Sequence, residues 1–294
     1  YSLFNQWGLT VLVTDAEGRV YKYEGSPSQT GGAAEPGEFG FRFGRTAFEQ
    51  VPGGCRIRIE LKGFSCGLLV QGILPPWKPG DGWALYSGRK DEYTRYSSPA
   101  PWAELSGTMS IFGESFDAHG QCLWDACLTV QPLSRTNSLI TVFRAFGEPW
   151  DAGGERTFVS AMVTWTSEKY GPLPIPMLLV GRGDRWVFTT KDFEMRADDW
   201  HVPPSPPFPY PQRYIVSGCG SGAELRGEFR CERMYHALDV FESLTPLMRS
   251  IVSAFMKRPV YYRMTGRFRG VLTTQDGGEI EVDIPAAGEY VILK

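Results

Sequence analysis

Apolar residues recur at every second position in segment after segment of this chain, and that spacing restricts its fold more than any other feature. In RIRIEL, Ile57, Ile59 and Leu61 fall on one side and Arg56, Arg58 and Glu60 on the other. EIEVDIP repeats the pattern with Ile280, Val282 and Ile284. RWVFTTKDFEM repeats it with Trp186 and Phe188, then Phe193 and Met195. Strand side chains point alternately to opposite faces, so a period of two marks strands with one buried face. DAEGR, PGG, GRGDR and TQDGGE interrupt these runs at the spacing of hairpin turns. With 34 glycines and 22 prolines, the chain reads as antiparallel strands joined by turns.

One stretch departs from this period. In CERMYHALDVFESLTPLMRSIVSAFMKRP, the residues Met234, Leu238, Phe241, Leu244, Met248, Ile251, Val252 and Phe255 recur at steps of three and four. That spacing predicts one amphipathic helix over 232–257, kinked at Pro246 and stopped by Pro259. Two further segments read as connections. Residues 26–38 are small and polar, and VPPSPPFPYPQ (202–212) is an extended proline-rich link, since proline cannot donate to a sheet ladder.

Strands with one late helix predict an all-β fold of two antiparallel barrel or sandwich domains, the helix lying on a barrel wall or across its opening. The 294 residues suffice for two domains. GEPWDAGGE places the expected boundary between residues 150 and 151, giving domains 1–150 and 151–294. The net charge of −3 comes without a basic run, so no nucleic-acid partner is expected. No run approaches ~20 apolar residues, so no membrane span is expected. The chain begins at Tyr1 and reads as a processed or trimmed product. Six cysteines without a CxxC pair or zinc spacing read as buried free thiols. Together with the absence of an Asn-x-Ser/Thr acceptor, they favour a cytoplasmic location.

The ionisable groups concentrate in SGTMSIFGESFDAHGQCLWDACLTV (106–130). Asp125 follows Trp124 within apolar sequence, where a carboxylate is costly to bury unless hydrogen-bonded; a raised pKa there would make it a proton donor. His119 is a natural acid–base group, although DAHGQ also reads as an exposed turn. Gln121 could polarise a carbonyl by hydrogen bonding. Glu114 and Asp117 read as solvent-facing. Aromatics form 14% of the chain, and Trp7, Trp77, Trp124 and Trp165 are the candidates to line an apolar substrate cavity. Trp124 and Asp125 are expected to point inward together, which needs a bulge or strand end, with His119 or Gln121 near the same cavity rim. His201 and His236 form no metal spacing with each other or with cysteine, no GxGxxG, GxSxG or Walker loop occurs, and neither a cofactor nor a metal is expected.

YSLFNQWGLTVLVTDAEGRVYKY, SGTMSIFGESFDAHGQCLWDACL and GRFRGVLTTQDGGEIEVDIPAAGEYV together resemble a lipocalin-like superfamily. It holds the carotenoid hydratases (hydroxyneurosporene synthases), the Svf survival-factor proteins and fungal Diels–Alderases. The likeness rests on glycines, aromatics and strand spacing, including the late pair Gly288–Glu289. Carotenoid hydratases show Asp-His followed by Trp-Gly in the central segment. GQCLWDAC has Trp124–Asp125 with no adjacent histidine, a departure that leaves cyclisation or ligand binding. The resemblance implies a cofactor-independent cyclase or pericyclase, Diels–Alderase-like, acting on a hydrophobic polyketide or terpenoid intermediate. The alternatives are a non-catalytic lipid or terpenoid carrier, and a hydratase using Asp125 as acid.

Overall fold

The structure is a computed structural model of the 294-residue chain. It describes residues 9–14, 19–25, 33–34, 40–43, 45–80, 83–85, 92–131, 133–147, 155–239, 241, 245, 247, 250 and 258–293. In chain order the first strands are β1 (Leu9–Thr14), β2 (Val20–Gly25), β3 (Ala33–Ala34), β4 (Gly40–Phe43), β5 (Thr46–Val51), β6 (Gly54–Leu61) and β7 (Phe64–Gly72). There follow β8 (Trp83–Leu85), β9 (Tyr93–Ile111), β10 (Glu114–Thr129), a single helical turn α1 (Leu133–Thr136) and β11 (Asn137–Phe146). The remainder are β12 (Thr157–Thr166), β13 (Pro174–Arg182), β14 (Arg185–Thr190), β15 (Phe193–His201), β16 (Tyr210–Gly220), β17 (Ala223–Asp239), β18 (Val260–Thr273) and β19 (Glu279–Ile292). The strand pairings are antiparallel. Where alternation was strongest, in RIRIEL and EIEVDIP, the apolar positions are the more buried ones of β6 and β19.

The chain divides into two compact units, Tyr1–Trp77 with Ser98–Ala126, and Lys78–Ser97 with Cys127–Lys294. The expected boundary at 150/151 falls in 148–154, outside the described residues.

In the first unit, β1 and β2 form a separate hairpin, and the larger sheet runs β10-β9-β7-β6-β5-β4-β3. Tyr23 of β2 is buried with Ile59, Phe64 and Cys66 of β6 and β7. Its ring lies 5.1 Å from that of Phe64, so an aromatic pair helps seat the hairpin on the sheet.

The second unit is one nine-stranded sheet, ordered β14-β13-β12-β11-β19-β18-β17-β16-β15. It curls until its ends pack together. A Cβ on Gly218 of β16 would stand 2.7 Å from Leu178 of β13, so glycine there permits the approach. Yet β14 and β15 do not pair with each other, and the sheet stays open at that seam. The expected barrel is therefore curled and packed shut by side chains, without a closed hydrogen-bonded ladder. Phe143, Tyr214, Phe229 and Phe268 stack at its centre.

The expected helix over 232–257 is corrected: Glu232–Asp239 is the end of strand β17. The cause is visible in the pairing with β18, whose register shifts between Cys231 and Arg233 and again between Met234 and His236. Each bulge inserts one extra residue, so the core-packed residues become Cys231, Met234 and Ala237. Two bulges turn a period of two into a period of three here, and Leu238 of the expected stripe is 40% exposed. Farther along, Leu247 and Ser250 are helical, while 240, 242–244, 246, 248–249 and 251–257 lie outside the described residues.

Among the described residues no helix is long and apolar enough to cross a membrane, a statement that leaves strand-built membrane barrels aside. No disulfide joins the six cysteines. Cys55 and Cys66 are buried as expected, whereas Cys127 and Cys219 are exposed.

Candidate functional site

The long hairpin of β9 and β10 brings together residues far apart in sequence. Trp102 on β9 is wholly buried. A buried indole N–H needs an acceptor, and Gln121 of β10 supplies its side-chain oxygen at 2.6 Å. That bond fixes which end of the Gln121 amide is which. The carbonyl oxygen accepts from Trp102, and the NH₂ is the donor end of the side chain.

Ser98 organises the neighbouring stretch. Its backbone pairs in both directions with Trp77, at 2.9 and 2.8 Å, and its hydroxyl donates to the Trp124 carbonyl at 3.1 Å. Trp124 packs on a cluster of Cys55, Val70, Ala100 and Ala103. Cys122 packs on the same cluster. Burial pushes its thiol up to about 11, so it remains protonated at neutral pH and behaves as a small apolar side chain.

Asp125 is half-buried, with its Oδ1 shielded from water. Gln121 is likewise half-buried, while His119 is exposed, as are Glu114 and Asp117. Trp165 belongs to the second unit, near the end of β12, and is 37% exposed. Trp7 lies outside the described residues. Trp77, Gln121, Trp124 and Asp125 all belong to the first unit. His201 and His236 sit on β15 and β17 of the second. Among the described residues no three His, Cys, Asp or Glu side chains gather as a metal site.

Reading the sequence missed the roles of Trp102 and Ser98. Neither carries a local signal of a role, because their partners Gln121 and Trp124 stand across the hairpin.

No protein-family model and no curated protein sequence matches the chain. Solved structures do match in fold. A protein from Nitrosomonas europaea described as an AttH superposes with a TM-score of 0.62 at 16% identity, covering 99% of this chain and 83% of its own. CghA crystallised with Sch210972 superposes with a TM-score of 0.64 at 10% identity, covering 96% of this chain and 79% of its own. A second CghA structure gives 0.64 at 8% identity over the same shares. The likeness is one of fold, and it supports the lipocalin-like resemblance of the sequence.

Proposed function

We propose that the chain is a cofactor-independent cyclase, acting on a hydrophobic polyketide or terpenoid intermediate at the Gln121 region of the first unit. The observation that carries this reading is the Trp102–Gln121 hydrogen bond. It orients the Gln121 amide, and an oriented hydrogen-bonding group is what a pericyclic ring closure asks of a protein. Such a closure exchanges π bonds for σ bonds within one substrate, so no atom enters or leaves. The protein contributes by holding a near-attack conformer and by polarising one carbonyl. In this reading Trp77 and Trp124 contact substrate. Gln121 polarises it, and Asp125 and His119 supply the surrounding polar groups. The sequence resemblance to fungal Diels–Alderases supports the same choice, and the fold likeness to a protein crystallised with Sch210972 agrees with a small-molecule ligand.

The test uses a synthetic linear polyene-enone that cyclises slowly by itself. The protein should accelerate ring closure and favour one diastereomer. Gln121→Glu keeps an acceptor for the Trp102 indole but removes the amide donor, and should lower the rate by ~10²-fold. Asp125→Asn should cost less than about tenfold, because no proton moves in the step. If Asp125→Asn abolishes turnover while Gln121→Glu spares it, the reaction is a proton transfer of the hydratase kind. Saturable binding without acceleration of any such substrate makes the protein a carrier.

A further inference from the structure

Trp200 stands where strand geometry alone would not put it. On β15, Phe193, Met195 and Ala197 pack into the core of the second unit. Strict alternation would send residue 199 inward after them and turn Trp200 away. Asp199 instead has a left-handed backbone, φ +55°. Asp tolerates that region better than most residues, and it breaks the alternation. The Trp200 ring then meets Tyr290 of β19 edge-on, with centroids 5.8 Å apart. In the sheet order β19 is four places from β15, so the contact reaches across the curled interior. Trp200 nonetheless remains 51% exposed, and Val202 beside it 57%. A large apolar ring half over a core and half in water is a cover.

Near Tyr290 there is also a buried polar group with no hydrogen-bond partner among the described residues. The Tyr214 side chain is wholly buried, and no described residue offers its hydroxyl a hydrogen bond. Burial first, then the neighbouring Tyr290 hydroxyl and Cys231 thiol, push its pKa well above the ordinary tyrosine value. The group is therefore a protonated donor facing the region of Tyr290 and Cys231. A buried hydroxyl left unbonded costs about 1–3 kcal/mol, and native cores rarely carry one without a reason.

We propose that this end of the second unit is a binding site for a small apolar molecule bearing one carbonyl oxygen, which Tyr214 recognises and Trp200 covers. The site is separate from the Gln121 region and does not depend on the cyclase reading. Tyr214 O–H donates to the ligand oxygen, the Tyr290 ring and Cys231 give apolar contact, and movement of Trp200 admits the ligand.

The experiment compares acetophenone with ethylbenzene, which share size and ring but differ in the carbonyl, by saturation-transfer NMR on the full chain. The wild type should bind acetophenone about tenfold more tightly, the value of one hydrogen bond to an otherwise unpaired donor. Tyr214→Phe should bring the two affinities together and leave the melting temperature unchanged or higher, since no protein hydrogen bond is lost. Trp200→Ala should speed release of acetophenone. Equal binding of the two probes by wild type, or a preference that survives Tyr214→Phe, would overturn the proposal. So would a lower melting temperature in Tyr214→Phe, which would mean that the hydroxyl bonds a structural water. Gln121→Glu should not alter either affinity, so failure of the cyclase reading leaves this result standing.

Discussion

Phe143→Ala should destabilise the protein by about 3–5 kcal/mol. Phe143 is fully buried on β11 at the middle of the stack, with its ring 5.4 Å from both Phe229 and Phe268 and nearly parallel to each. Its ring also stacks at 6.5 Å from Tyr214. The register places Phe143 opposite Gly288, and a Cβ on Gly288 would come within 3.0 Å of the Phe229 ring. Glycine thus opens the space that the rings occupy, and alanine at 143 would leave a ring-sized void that flanking strands cannot close. The loss combines the transfer term of the removed ring, its aromatic contacts and the cavity. Domains are stable by about 5–15 kcal/mol, so the variant should lie close to unfolding at 37 °C. Phe143→Leu keeps most of the volume and should cost about 1.5 kcal/mol. Urea titrations followed by tryptophan fluorescence separate the two variants. A cost below about 1 kcal/mol for the alanine variant would show that the stack does not organise this core.

The strands were legible because one physical rule, a buried face and a wet one, writes the same period into many segments. RIRIEL and EIEVDIP gave both existence and facing, since nothing interrupts the ladder between β6 and β7 or between β18 and β19. The end of β17 was misread for a reason equally physical. Bulges at Glu232 and Tyr235 are set by pairing with β18, and nothing in the local sequence marks them. The candidate site was legible in part. Gln121, Trp124 and Asp125 stand out as polar and aromatic groups inside a strand. What fixes Gln121 is Trp102, nineteen residues earlier, and its role follows from the hairpin register. Trp200 was illegible as a cover, because Asp199 carries no glycine-like mark of a left-handed backbone.

The second large effect is expected at Asp239, where the sequence showed only an acid in a supposed helix. Asp239 is 5% exposed at the end of β17. Its Oδ1 accepts the Phe241 backbone N–H at 2.9 Å, and its Oδ2 accepts from Arg258, with Nε at 2.9 Å and a second guanidinium nitrogen alongside. Arg258 in turn lies over the Phe208 ring, 5.4 Å from its centroid. The Tyr262 hydroxyl stands 2.9 and 2.8 Å from the carbonyls of Pro206 and Phe208 and shares its hydrogen between them. One carboxylate therefore ties the end of β17 to the start of β18 and, through Arg258, to the proline-rich segment, which is anchored rather than loose. Arg258→Ala leaves the buried carboxylate without its cation and should cost about 3–5 kcal/mol. Asp239→Ala should cost somewhat less, about 3 kcal/mol, because the Arg258 side chain is 38% exposed and can turn its charge to water. Asp239→Asn preserves an acceptor for the Phe241 N–H while losing the charge, and should fall below both. Thermal melts of the three variants test that order. If Arg258→Ala proves the mildest, the carboxylate is satisfied without the arginine, and the proline-rich segment owes its place to Tyr262 alone.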